Sequence, residues 1–342
     1  MVFILERDVT DAQVDVFRKE FERQGFSTIY APGTEHKAVC LLGNTSVIDM
    51  DQVVESHSYV SYGRRVTEQY KAAGRTVHPD DTVITVGSGE NAVQIGGGTF
   101  TVISGPCSVE TEAQICLVAE SVKAAGAKIL RGGAFKPRTS PYSFQGLGTD
   151  GLALLKTAKA LTGLPLISEI MNQTQLSLFE DVDIVQIGAR NMQNFDLLKA
   201  VGRMGKPVLL KRGLCNTLDE LLMSAEYVMA SGNPNVMLCE RGIRTYETAT
   251  RNTIDLTVIP VLHRLTHLPV IVDPSHSTGV ARLVEPCAMG AVVMGADGLI
   301  IEVHNDPPHA LCDGAQSQTP EMFAETMSRV NALRPLAYQL HD

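Results

Sequence analysis

No surplus of positive charge marks this chain: 38 acidic against 29 basic residues leave its 342 residues with a formal net charge of −9 and a pI near 5.5. A nucleic-acid binder would normally carry a basic face, so that class is set aside. No run of about 18 uninterrupted apolar residues occurs, so no membrane-spanning helix is expected. The opening MVFILERD is broken by Glu6 and Asp8 and is too short for the apolar region of a signal peptide. The seven cysteines show no paired spacing and leave one over. That fits a reducing compartment better than a disulfide framework, and a cytoplasmic protein is expected. What the chain does have is 44% apolar and 20% charged residues, enough to bury a large core. Its length exceeds one ordinary domain, yet a full (β/α)₈ barrel would use most of it.

The first residues read as strand 2–5, then a helix opened by Thr10 with Gln13 three positions on, the pattern of a capping box. Val14, Phe17 and Phe21 form its apolar stripe, and Gly25 ends it. Strands at 26–30 and 37–42, a short helix at 49–56 and a strand at 59–62 complete a β-α-β-β-α-β order, that of a small ferredoxin-like α+β domain. The expected division is a small domain over 1–66, a polar linker over 67–82, and a larger domain over 83–342. The larger one starts with a hairpin of 83–86 and 92–95. Strand and helix signals then alternate, with strands at 100–104, 128–131, 165–169, 184–187, 208–211, 236–240, 270–273 and 299–303. Alternating βα units imply a parallel sheet, and eight of them in about 240 residues imply a closed (β/α)₈ TIM barrel.

The segment Gly87-Ser-Gly89-Glu-Asn-Ala92 imitates a dinucleotide fingerprint, but that motif needs a helix to start there. Gly96-Gly97-Gly98 follows almost at once and cannot sustain one, so a hairpin turn is expected instead.

Barrel enzymes carry their chemistry at the carboxyl ends of the strands. Six cationic residues gather there in an otherwise acidic chain: Arg131, Lys136, Arg138, Arg190, Lys211 and Arg241. Such convergence is self-repulsive unless anions fill it, and arginine suits bidentate grips on phosphate and carboxylate. Two phosphates and a carboxylate would satisfy the set. A second group comprises Cys107, His276, Glu302 and, in the loop after the eighth strand, Asp313. A thiolate, an imidazole and two carboxylates suit one divalent ion of the Mn, Fe, Co or Zn kind. No local ligand spacing supports this, and an inert buried thiol with a hydrogen-bonded core histidine fits the residues alone equally well.

The strings GPCSVE, LRGGAFKPRTSPYSFQGLG, QIGARN, LLKRG, LCERGIRT, DPSHS and EVH occur in that order. Together they resemble the 3-deoxy-D-arabino-heptulosonate 7-phosphate (DAHP) synthase family, over essentially the whole chain and closest to the type I beta subtype with an N-terminal ferredoxin-like regulatory domain. The resemblance implies a transferase that condenses phosphoenolpyruvate with erythrose 4-phosphate, the first step of the shikimate pathway to the aromatic amino acids. It implies that Cys107, His276, Glu302 and Asp313 hold the metal. Phosphoenolpyruvate would meet Arg131, Lys136, Arg190, Lys211 and Arg241, with Arg190 and Arg241 on its phosphate. Lys136, Pro137, Arg138, Thr139 and Ser140 look like the erythrose 4-phosphate segment, where Arg138 and Thr139 would meet the sugar phosphate. Lys136, Lys211 and Glu169 are the candidate catalytic residues, the last two for steering water.

The relative to separate is 3-deoxy-D-manno-octulosonate 8-phosphate synthase, which shares barrel, metal and phosphoenolpyruvate site. It typically carries an Asn-containing KANR-type segment where this chain has Lys136-Pro137-Arg138-Thr139. Proline there favours the four-carbon sugar. The small domain is expected to take an aromatic amino-acid effector, although Ile29 and Ala31 stand where polar side chains meet the effector in relatives. A domain that only stabilises an oligomer is the alternative, and a homodimer or homotetramer is expected. Cys312, beside Asp313, is expected to come near enough to Cys107 for oxidation to join them when metal is absent.

Overall fold

Thr10 and Gln13 close the capping box expected of them: each side chain accepts from the other's main-chain N–H, at 2.9 and 3.3 Å. Helix α1 (Asp11–Arg23) follows, burying Val14, Phe17 and Phe21. The computed structural model describes residues 1–33, 36–65, 69–137 and 140–338. Two compact units result, one holding Met1–Thr82 with His263–His267, the other holding the remainder from Val83 onward.

In the first unit, β1 (Val2–Leu5), β2 (Ser27–Pro32), β3 (Lys37–Leu42) and β4 (Val60–Arg64) form one sheet in the order β2-β3-β1-β4. Every pair is antiparallel, and α2 (Met50–Ser56) joins β3 to β4. This is the ferredoxin-like order read from the sequence. Alternation along β1 splits it between two clusters. Phe3 and Leu5 pack with Phe17, Phe21, Val39 and Leu41, whereas Val2 and Ile4 pack with Ala31, Ala38, Cys40 and Val77. Val77 comes from the polar stretch that the composition marks as a linker; that stretch is itself packed within the first unit. Its Arg75 guanidinium donates to the main-chain oxygens of His263, Thr266 and Pro79, which lets a polar segment lie down without stranding carbonyls.

The same unit buries His267, whose Nε2–H donates to Ala72 O at 2.7 Å while Nδ1 accepts from the Thr82 hydroxyl at 2.6 Å. Burial, with His78 stacked at 4.1 Å, pushes its pKa from 6.5 down to about 3. An unfolded chain therefore takes up a proton below pH 6.5 that the folded one refuses. The stability that the neutral ring contributes is complete above that pH and is lost progressively as pH falls toward 3. Between about pH 7.5 and about pH 5, urea unfolding should show a loss on the order of 2 kcal/mol that His267→Gln does not share. Equal losses in both proteins would reject this account.

In the second unit β5 (Ile84–Val86) and β6 (Val93–Ile95) pair antiparallel as the expected hairpin. Gly89–Asn91 between them is a single 3₁₀ turn and no helix begins there. The barrel strands are β7 (Thr101–Gly105), β8 (Ile129–Arg131), β9 (Leu166–Ile170), β10 (Ile184–Ile187), β11 (Val208–Lys211), β12 (Val236–Glu240), β13 (Val270–Val272) and β14 (Gly298–Glu302). All eight pairings are parallel, and β14 returns to β7 with Glu302 opposite Gly105, closing the barrel. Strands buried on both faces read as Val/Ile/Leu runs, which is why each lies within one residue of its sequence-based bounds. The connection between β9 and β10 contains a 3₁₀ segment, Gln173–Phe179. Ile103, Ile129, Ile167, Ile184, Leu209, Ile271 and Ile300 fill the interior together with Ile84, Val86 and Ile95 of the hairpin. Among the described residues no helix is long and apolar enough to cross a membrane.

Candidate functional site

Gly105 sets the geometry at the carboxyl end of β7. Its φ is +150° and a Cβ there would lie 2.0 Å from Arg131 O, so only glycine lets the ends of β7 and β8 approach this closely. Cys107 follows two residues on and is 1% exposed. Glu302 ends β14, His276 sits in a short helix (Pro274–Thr278) after β13, and Asp313 lies in the loop after β14. One donor atom from each lies within 4.8 Å of the others. Donors bound to a shared ion at about 2.0–2.3 Å sit roughly 3–4.5 Å apart, so the four form a group able to hold a metal. The spacings agree: Cys107 Sγ to Asp313 Oδ2 is 3.4 Å, and His276 Nε2 is 3.3 Å from Glu302 Oε1 and 3.9 Å from Asp313 Oδ2.

The ring of His276 is held by Asp273, whose two carboxylate oxygens accept from His276 N at 2.8 Å and pair with Nδ1 at 2.7 Å. That leaves Nε2 facing Glu302 and Asp313, the outer-sphere carboxylate arrangement usual for ligating imidazoles. Lys211 Nζ in turn reaches Asp273 Oδ2 at 2.5 Å. Each of the other three donors also has a cationic neighbour. Lys136 Nζ is 2.9 Å from Cys107 Sγ, Arg131 Nη1 is 2.5 Å from Glu302 Oε1, and Arg251 Nη1 is 3.3 Å from Asp313 Oδ2.

These contacts decide the protonation states. The contact with Cys312, then burial, then Glu302 raise the Cys107 thiol well above its ordinary value, against Lys136 and Arg131. Burial works against an ionised Glu302, but His276, Arg131 and Lys136 together hold its carboxyl well below the usual range. Asp313 is also lowered: burial and Glu302 oppose its charge, and Arg251 and His276 overcome them. Burial lowers His276 despite Asp273, so its ring is neutral at neutral pH, the form that ligates. A metal entering such a site has to displace the thiol proton.

Above this cluster lies a cavity of about 430 Å³. Lys136, Pro137, Ser140, Glu169, Arg190, Lys211, Arg241, His276 and Asp313 all line it. Arg131, Cys107 and Glu302 lie buried and are joined to it through Lys136 and His276. Arg138 and Thr139 fall outside the described residues. Among the described residues Arg190, Arg241 and Arg244 have no carboxylate within ion-pair distance, so three of the cavity's cations are unpaired, whereas Lys211 and Arg251 rest on Asp273 and Asp313. Glu169 accepts from Gln186 Nε2 at 3.1 Å. In this conformation its carboxylate takes the space beside Gly188, where a Cβ would lie 1.9 Å from Oε1.

Gln186, Arg251, Asn252 and Gln316 are among the lining or supporting residues not singled out from sequence. Gln186 did leave a signal, a polar residue inside the otherwise apolar run of β10. The others lie in loops and left none.

Residues 81–335 match the family described as DAHP synthetase I. The phospho-2-dehydro-3-deoxyheptonate aldolase of Thermotoga maritima is 44% identical over 334 residues, covering 97% of each chain. A crystal structure of the Thermotoga maritima phospho-2-dehydro-3-deoxyheptonate aldolase (DAHP synthase) matches with a TM-score of 0.76 at 43% identity, over 98% of this chain and 97% of its own. A 2-dehydro-3-deoxyphosphooctonate aldolase of Desulfatibacillum aliphaticivorans is more distant, 33% identical over 72% of this chain and 97% of its own length. The chain belongs to the DAHP synthetase I family.

Proposed function

We infer that the chain is a DAHP synthase, condensing phosphoenolpyruvate with erythrose 4-phosphate and water to give DAHP and inorganic phosphate. The observation that carries this is the group of unpaired arginines in a cavity beside a four-donor cluster, in a chain of this family. A divalent ion of the Mn, Fe, Co or Zn kind, held by Cys107, His276, Glu302 and Asp313, would supply Lewis acidity toward the aldehyde oxygen.

The residues do the rest. Arg190 and Arg241 take the phosphate of phosphoenolpyruvate, and Arg131, Lys136 and Lys211 its carboxylate. Pro137, Arg138, Thr139 and Ser140, with Lys136, take the phosphorylated aldose. Holding both anions in contact lets C3 of phosphoenolpyruvate attack the aldehyde carbon without a second encounter. Water then adds at C2, and phosphate departs with its bridging oxygen. Glu169 and Lys211 steer that water and its protons.

Phosphate release should require phosphoenolpyruvate, erythrose 4-phosphate and metal together, and should stop with a chelator. Release with arabinose 5-phosphate in place of erythrose 4-phosphate would assign the chain instead to the octulosonate reaction.

Residues 1–66 are proposed as a regulatory domain that takes tyrosine or phenylalanine, with 67–82 as its link to the catalytic barrel of 83–342. Such an effector acts only if it binds two states of the enzyme unequally. Titration of the intact enzyme with each amino acid, repeated after deletion of 1–66, separates this from a purely oligomer-stabilising role. Inhibition that survives the deletion would exclude regulation through this domain.

Cys107 Sγ and Cys312 Sγ are 3.5 Å apart. Bond formation at about 2.05 Å needs only a small further approach. In metal-free protein, diamide is expected to join the two thiols and inactivate the enzyme, the oxidant taking up two electrons and two protons. Peptide mapping that finds both thiols free after treatment would reject the bridge.

A further inference from the structure

Asp313 does not hold itself in place. It is the one non-glycine residue with positive φ among the described residues, at +52°, on a loop leading into a single 3₁₀ turn. Its carboxylate also lies close to that of Glu302, a neighbour of like charge. Glu302 rests through Oε1 on Arg131 at a strand end, so Asp313 and the second oxygen of Glu302 remain to be fixed from the loops.

Arg251 does so by two routes. Its Nη1 lies 3.3 Å from Asp313 Oδ2 and donates to Gln316 Oε1 at 2.6 Å. Gln316 is 2% exposed, and its Nε2 donates to Glu302 Oε2 at 2.5 Å. The amide can point only one way, since the reverse would set NH₂ against a guanidinium and oxygen against a carboxylate. Arg251 is itself fixed to the segment that carries His276. Its main-chain N donates to Thr278 O at 3.0 Å, and its stem passes over Gly279, where a Cβ would lie 2.5 Å from Arg251 Cβ. Next to it, Asn252 Nδ2 donates to His276 O at 2.8 Å. A two-residue stretch thus reaches three of the four donors.

We propose that Arg251 is a positioning residue for the metal site, setting Asp313 directly and Glu302 through the Gln316 amide. This rests on reading Cys107, His276, Glu302 and Asp313 as the ligands. Arg251 differs in this from Arg131 and Lys136, which also pair with donors but are assigned to the substrate. A guanidinium beside one carboxylate and an amide on the other offset their repulsion: Gln316 takes Oε2 of Glu302 and leaves Oε1 toward His276, while Arg251 meets Asp313 at Oδ2, the oxygen that also faces Cys107 and His276.

The test loads the full-length enzyme with Co²⁺ and reads its visible bands and its affinity in competition with a chelator. Arg251→Gln and Gln316→Met should each weaken Co²⁺ binding by about 10–100-fold and alter the bands. The double variant should lose roughly no more than the worse single one, since both act through one relay. Arg251→Lys should recover part of the affinity, because it keeps the charge and loses the fork. The KM for phosphoenolpyruvate should stay within about twofold in all of them.

Wild-type cobalt affinity in Arg251→Gln with a raised KM for erythrose 4-phosphate would make Arg251 a substrate contact and overturn the proposal. Fully additive losses in the double variant would overturn the relay. Should Arg251→Gln not fold, Gln316→Met decides the matter from the other end. If the wild-type chain shows no cobalt bands that Cys107→Ala removes, the ligand assignment itself fails, a result distinct from failure of the relay.

Discussion

Cys107→Ala should lose metal and turnover together, with kcat falling by about 10²–10³-fold or more, the scale of removing a group that acts on developing charge. The thiolate is the one soft donor of the four, and the remaining nitrogen and two carboxylates leave a weaker and less selective site. The prediction is sharper than a loss of activity, because the substitution spares the substrate side. Lys136 donates to the main-chain oxygen of Cys107 at 3.0 Å as well as to its sulfur, so it keeps an anchor when the sulfur is gone. Arg131 also keeps Glu302 and the Pro106 carbonyl. Phosphoenolpyruvate should therefore still bind to the variant. Metal content after dialysis, steady-state rates and equilibrium dialysis with phosphoenolpyruvate measure the three quantities separately. Near-normal turnover in a chelator-treated variant would end the metal proposal.

Much of this site was legible because a parallel barrel writes itself plainly. Runs such as 208–210 and 270–272 are apolar on both faces, so the first polar residue at the carboxyl end of each stands out. Lys211, Glu302 and Arg131 are such residues. Cys107, His276 and Asp313 share no short motif; only their common position after neighbouring strands groups them. Arg251, Asn252 and Gln316 could not be found that way. They lie in loops with no periodicity, and what brings them to the donors is how those loops pack, with Gly279 making room for the Arg251 stem. The segment before the barrel shows the same limit. Its composition is polar, yet Ala73 and Val77 are buried, because Arg75 satisfies the carbonyls around them. Composition reports side-chain polarity and carries no record of who bonds the main chain.

Arg241→Met is expected to weaken phosphoenolpyruvate binding severely and yet stabilise the ligand-free protein. Arg241 is 5% exposed, its Nε has no partner, and Nη1 reaches only the neighbouring Gly242 O, at 3.2 Å. Burial pushes the guanidinium below its ordinary value, with Asp273 the main opposing influence. No carboxylate lies within ion-pair distance among the described residues, unlike Arg131, which rests on Glu302. A buried cation without a partner costs folding free energy, and that cost is recovered only when an anion arrives. Removing one member of the resulting buried pair costs about 2–5 kcal/mol, so kcat/KM should fall by roughly 30- to several thousand-fold. Methionine keeps much of the stem and discards the charge, so thermal unfolding of the ligand-free variant should occur above that of the wild type. Saturating phosphoenolpyruvate should then raise the wild-type midpoint and leave the variant almost unmoved, because ligand stabilises only in proportion to its binding. A variant that unfolds below the wild type without ligand would mean that the charge is already balanced inside the empty cavity, and the case for Arg241 as a waiting phosphate anchor would fall with it.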